Sequence, residues 1–258
     1  MTRMPVLFAG HGSPMNAMED NQFTREWKRL AAEIPQPTAI CSVSAHWYTK
    51  GTLIADQEEP QTIYDMYGFP QELYELNYDA PGSPQFAHLA QELVTSETNY
   101  DCSWGIDHGT WSVLIHMYPE KQIPVFQISV DAYAPPAEHY RIGQELSLLR
   151  DQGVLIFGTG NVVHNLRRVD WNRETEGFAW ALEFDDFIRT NIKARTHENI
   201  LNYGEYGEAA NLAVPTPDHF YPLLYVLGAT TATDKITVFN RQPVLGSLTM
   251  TGYLFTDN

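Results

Sequence analysis

Runs of strand length that are apolar almost from end to end recur along this chain, separated by segments with helical spacing. They are VLFA (Val6–Ala9), AICSVSA (Ala39–Ala45), TLIA (Thr52–Ala55), PVFQISV (Pro124–Val130) and VLIFGTG (Val154–Gly160). A strand without polar alternation is buried on both faces, and a sheet of such strands needs helices above and below it. Phe23, Trp27, Leu30 and Ile34 form one stripe of a helix over Phe23–Ile34, with charges on the opposite face. Ser83–Pro84 supplies an N-cap and an N1 proline to SPQFAHLAQELV. A helix over His139–Gly153 ends on the glycine expected past a C-terminus. Glu176–Lys193 and Pro217–Ala229 also read as helices, the latter with Pro222 in its first turns. KITVFN and SLTMTGYLF read as two closing strands. The expected fold is an α/β sandwich, its sheet covered on both faces, forming one domain over residues 1–258. The proline-rich stretch from Glu58 to Pro84 reads as a long surface-packed loop and a candidate pocket wall.

Composition narrows the partners. A net charge of −16 argues against nucleic acid or an anionic membrane surface, which need a basic footprint. No run approaches the roughly 18–20 apolar residues of a membrane span. The N-terminus lacks the features of a signal peptide, so the expected location is the cytoplasm. Cys41 and Cys102 sit in unlike contexts and suggest neither a disulfide nor a thiolate metal site. Nothing in the sequence speaks to the oligomeric state.

The nine histidines divide into two groups. His88, His116, His139 and His197 have ordinary helical contexts and read as structural. His11 ends the first strand in a Gly-His-Gly-Ser-Pro turn, where the glycines permit positive φ and close approach. His46 ends AICSVSA and His164 follows VLIFGTGN, while His108 and His219 stand at helix starts. Strand ends of an open α/β sheet converge on one crevice, so these five imidazoles are candidates for one site. Three or more imidazoles in a crevice suit Zn²⁺ or Fe²⁺. Asp107 and Asp218 each precede one of these histidines, either to hold its second ring nitrogen or to cap the helix that follows. Ser13 lacks the GxSxG context of a hydrolase nucleophile, so a serine hydrolase is rejected.

In chain order, LFAGHGSPMNAMEDN, VSAHWYT, IDHGTWSVL, GTGNVVHNLR and TPDHFYPLLYVLGA resemble the motifs of the LigB-type class III extradiol ring-cleavage dioxygenases, most nearly the 4,5-DOPA branch. The resemblance runs from about Met4 to Tyr253. It implies a mixed central sheet and one non-haem divalent metal at the strand ends. His11, His46 and His219 match its metal ligands, and His164 matches a metal-site residue that acts as acid/base in the wider superfamily. His108 matches a pocket histidine assigned to substrate binding and catalysis. No organic cofactor is implied.

Better-studied relatives place a glutamate where this chain has His219. An all-histidine set also suits Zn²⁺, whereas ring opening implies Fe²⁺, because zinc does not change redox state. With zinc, His164 is expected to close the shell as a fourth ligand. With iron and substrate, it is expected to swing off and act as acid/base. The implied reaction opens a catechol beside its diol with O₂ to a muconic semialdehyde. Rival readings of the same residues are a metal chelatase, a metal-dependent hydrolase, and a non-enzymatic metal-binding module with no adjoining pocket.

Overall fold

The computed structural model describes residues 3–257. In chain order the first strands are β1 (Val6–Gly10), β2 (Ala39–Thr49), β3 (Thr52–Ala55), β4 (Thr98–Asp101), β5 (Val125–Asp131) and β6 (Val154–Gly160). All but β4 grow from the apolar runs; β4 is short, polar and at the sheet edge, so no hydrophobic pattern announces it. β7 (Lys235–Phe239), β8 (Pro243–Val244), β9 (Leu248–Thr249) and β10 (Gly252–Thr256) complete the set. The helices are α1 (Gln22–Glu33), α2 (Gln71–Glu75), α3 (Pro84–Leu93), α4 (His108–Met117), α5 (Pro136–Leu146), α6 (Ala179–Ala194), α7 (His197–Leu201), α8 (Glu208–Ala213) and α9 (Tyr221–Gly228).

Eight strands form one sheet in the order β4-β3-β5-β2-β6-β1-β10-β7. Its centre, β5-β2-β6-β1, is parallel. The antiparallel pairs β1–β10, β10–β7 and β3–β5 make it mixed. Val6, Phe8, Val154 and Ile156 enter the core on one face; Leu7, Ala9, Leu155 and Phe157 enter it on the other. That two-sided burial is what the unbroken apolar runs encode. Helices α5, α6 and α9 cover the first face, and α1 and α4 the second. The expected α/β sandwich is therefore the observed architecture. Asn21 starts α1 with a reciprocal cap to Thr24, and α9, buried along its whole length, is apolar on every side.

Several boundaries differ from the sequence reading. β2 continues through His46 to Thr49, so His46 lies inside a strand rather than at its end. The helix expected up to Gly153 stops at Leu146 and tightens into a 3₁₀ turn, Ser147–Gln152. α6 begins only at Ala179, because Gly177 bridges to Gly246 and the Phe178 N–H donates to the Gly246 carbonyl (2.7 Å). Pro217–Phe220 forms a turn before α9, leaving Pro222 in the first helical turn, where its missing N–H costs nothing. The Glu58–Pro84 stretch is more than a surface loop: it carries α2 and buries Leu73 and Tyr78. Among the described residues no helix is long and apolar enough to cross a membrane.

Candidate metal centre

The parallel strands β1, β2, β5 and β6 bring their C-terminal ends to one edge of the sheet, where α/β folds hold ligands. His11 directly follows β1, and its N–H donates to the carbonyl of Gly160 at the end of β6 (3.1 Å). Gly12 takes φ +61°, the turn that the Gly-His-Gly sequence anticipates. His46 sits where β2 loses register with β5 between Val43 and Tyr48; such irregularities re-aim side chains. His108 is the first residue of α4. The turn carrying His219 is tied to β6 by the Asn161 N–H, which donates to the His219 carbonyl (2.9 Å).

His11, His46 and His219 form one group whose ligand atoms lie within 4.8 Å of one another. Each presents a defined nitrogen. The Thr159 hydroxyl donates its hydrogen to the Gly109 carbonyl (2.6 Å), so it accepts from His11 Nδ1 at 2.9 Å. Asp218 Oδ2 lies 2.8 Å from His219 Nδ1, and Asp65 Oδ2 lies 3.1 Å from His46 Nδ1. With every Nδ1 facing an oxygen acceptor, the Nε2 atoms are left with lone pairs. Those of His11 and His46 stand 3.1 Å apart, a repulsive arrangement without a cation or proton between them. Two nitrogens each about 2.1 Å from one ion sit about 3.0–3.4 Å apart, so this donor set fits a single divalent metal.

Electrostatics favour neutral imidazoles at His11 and His219. Burial, reinforced by the neighbouring imidazoles, drives the pKa of His11 and of His219 well below the ordinary value. Burial works against charge on His46 too, but Asp65, Asp107 and Asp218 outweigh it and raise that pKa. Asp65 is partly exposed, and its partial burial opposes charge, yet His108 and His46 hold its carboxyl well below the usual range.

Two candidates lie beside the trio. His108 packs on His46 with ring centroids 3.8 Å apart, and its Nδ1 is 3.0 Å from the same Asp65 oxygen. His164 stacks on His219, centroids 3.5 Å apart and planes 7° from parallel, and burial lowers its pKa to about 4. It is outside the group of three.

Sequence reasoning passes over Asp65 and Thr159. Thr159 hides inside an apolar strand, and Asp65 lies in the long loop, signalled only by that loop's place as a candidate pocket wall. Asp218 holds the imidazole beside it, whereas Asp107 caps α4 through the Thr110 N–H and accepts from Ser44, Trp104 and Gln127. Ser13 caps the 3₁₀ turn Pro14–Ala17. The remaining histidines stay structural: His139 contacts the Tyr225 hydroxyl, His116 the Asn16 carbonyl, His197 the Tyr140 hydroxyl, and His88 lies on the surface near Asp56.

A cavity of about 750 Å³ opens from the five imidazoles. Met66, Tyr67 and Phe69 of the long loop form one wall, and Leu166, Val169 and Trp171 line it as well. The predicted pocket wall is thus real. An adjoining cavity is also what a pure metal-storage module lacks.

A family model described as the catalytic LigB subunit of aromatic ring-opening dioxygenase matches residues 4–251. A 4,5-DOPA dioxygenase extradiol from Escherichia coli K12 is 45% identical over 254 residues, covering 96% of this chain and 93% of the relative. A protein of the same name from Beta vulgaris is 36% identical, covering 97% and 96%. The crystal structure of an uncharacterized protein from Escherichia coli K12 superposes with a TM-score of 0.85 at 41% identity, covering 98% of this chain and 99% of that one.

Proposed function

The chain belongs to the LigB family of aromatic ring-opening dioxygenases and is an extradiol oxidoreductase; from that premise we propose that it opens a DOPA-like catechol beside its diol with O₂, giving a muconic semialdehyde. The observation that carries this reading is the trio of Nε2 lone pairs at the base of a cavity large enough for one aromatic ring. His11, His46 and His219 would hold the metal. Bound Fe²⁺ supplies a redox-active Lewis acid for the diol and O₂, which Zn²⁺ does not.

The chain's own residues bind, orient and move protons. Burial keeps His164 neutral near pH 7, so it offers a lone pair to a catechol hydroxyl. Its ring lies face to face with that of His219, so the two would not both direct a nitrogen to one point, which supports this acid/base role over ligation. His108, with Nδ1 turned to Asp65, directs Nε2 away from that carboxylate and serves as the second proton-transfer group. Met66, Phe69 and Trp171 supply apolar walls for the ring. We place all of this in one catalytic domain spanning the chain.

Oxygen uptake by iron-reconstituted protein tests the reading across a panel of catechols. It expects O₂ and substrate to disappear one for one, with a ring-opened product absorbing at longer wavelength and no reaction without oxygen. Absence of O₂ consumption with every catechol overturns it.

A further inference from the structure

The cavity lining contains no lysine or arginine among the described residues, and one carboxylate, that of Glu19. Its neighbour Asp20 is paired with Arg25 (2.9 Å), whereas Glu19 enters no ion pair among the described residues. Glu19 is nevertheless held. The Asn21 amide donates to Glu19 Oε2 (3.0 Å) and to Asn16 Oδ1 (2.8 Å), while its oxygen accepts from the Phe23 and Thr24 N–H groups at the start of α1. The Asn16 amide in turn donates to the His11 carbonyl (2.9 Å). A continuous set of hydrogen bonds thus runs from this carboxylate to the backbone of a candidate ligand.

An unpaired carboxylate at the mouth of a cavity without cations favours a positively charged group and repels a negative one. The protein's net charge of −16 adds to that field. Arg167 and Arg168 are exposed on the turn between Leu166 and Val169, but neither contributes to the lining.

Resting on the catechol reading above, we propose that Glu19 is a specificity residue that receives a side-chain ammonium. The preferred substrates are then catechols bearing a cationic amine, with or without a carboxylate, and catechols bearing a carboxylate alone are disfavoured.

The test compares DOPA, dopamine and dihydrocaffeate with the iron-loaded enzyme, and measures binding of the last two to zinc-loaded protein by calorimetry. Dopamine is expected to match or exceed DOPA in kcat/KM and to exceed dihydrocaffeate about tenfold, mainly through KM, with the gap shrinking as salt rises. Glu19→Gln should reduce the dopamine-to-dihydrocaffeate ratio about fivefold or more, in turnover and in binding alike. An unchanged ratio in Glu19→Gln, or a wild-type preference for dihydrocaffeate, overturns the proposal. So does a ratio that responds to Arg167→Ala or Arg168→Ala and not to Glu19→Gln. Failure of the dioxygenase reading shows differently, as no turnover of any catechol, and the zinc-protein binding ratio then still decides the role of Glu19.

Discussion

Asp65 Oδ2 stands 3.0 Å from His108 Nδ1, while Oδ1 accepts the His108 backbone N–H (2.9 Å). The same Oδ2 faces His46 Nδ1, so one carboxylate orients a proposed ligand and a proposed proton-transfer residue together. Loss of such a partner commonly costs about 10–100-fold in metal affinity or activity. Asp65→Ala should therefore weaken metal retention and lower kcat, with circular dichroism unchanged. Wild-type metal affinity and turnover in this variant would show that the carboxylate orients neither ring.

His11 follows β1, His219 lies in the turn before α9 and His46 sits in the irregular last part of β2, and none of them belongs to the apolar core. His11→Ala, His46→Ala and His219→Ala should each sharply lower bound metal after dialysis while keeping the far-ultraviolet spectrum. Full occupancy in His46→Ala removes that residue from the ligand set.

His108 and His164 are assigned to proton transfer, so His108→Ala and His164→Ala should keep their metal and lose at least about 100-fold in turnover. Metal analysis read beside oxygen uptake separates the roles. Loss of metal in either variant makes that residue a ligand, and parent-rate turnover in His164→Ala ends its acid/base assignment.

Gly109 gives His46 its room. A Cβ there would lie 2.8 Å from His46 Cδ2 and 2.8 Å from Ser44 Oγ. Gly109→Ala should displace the His46 ring and reduce metal affinity about tenfold or more with only a modest change in melting temperature. Unaltered metal binding would mean that the ring yields without leaving its place.

The fold rests in part on a buried ion pair far from the site. The Arg150 guanidinium and the Asp234 carboxylate have no exposed side-chain surface and meet at 2.8 Å, and Arg150 also donates to the Met4 and Ala229 carbonyls. Removing one partner leaves a buried charge, so Asp234→Ala should cost about 3–5 kcal/mol in denaturant unfolding. Burial tends to raise the Asp234 pKa, but Arg150 and the Thr231 N–H outweigh it and hold it below the usual value. A depressed carboxylate contributes its stability above the unfolded pKa and loses it as pH falls through the folded one. The cost of Asp234→Ala should accordingly be full at neutral pH and shrink in acid.

Local pattern determined the architecture. Apolar runs such as Val154–Gly160 are buried on both faces wherever they pair, and the Phe23–Ile34 stripe permits one orientation on a sheet, so strands, helices and a covered α/β sheet are readable without coordinates. His11, His108, His164 and His219 were legible for a similar reason, since each adjoins an element end that a fold of this kind brings to one edge. The tertiary structure decided what depends on distant partners. The register shift that turns His46 inward arises between β2 and β5, strands far apart in sequence. Asp65 became visible only when its loop folded over α4, and Thr159 only when its hydroxyl met Gly109 and His11. A histidine's usefulness lies in which nitrogen it presents, and that is set by hydrogen bonds across the chain, which no local periodicity records.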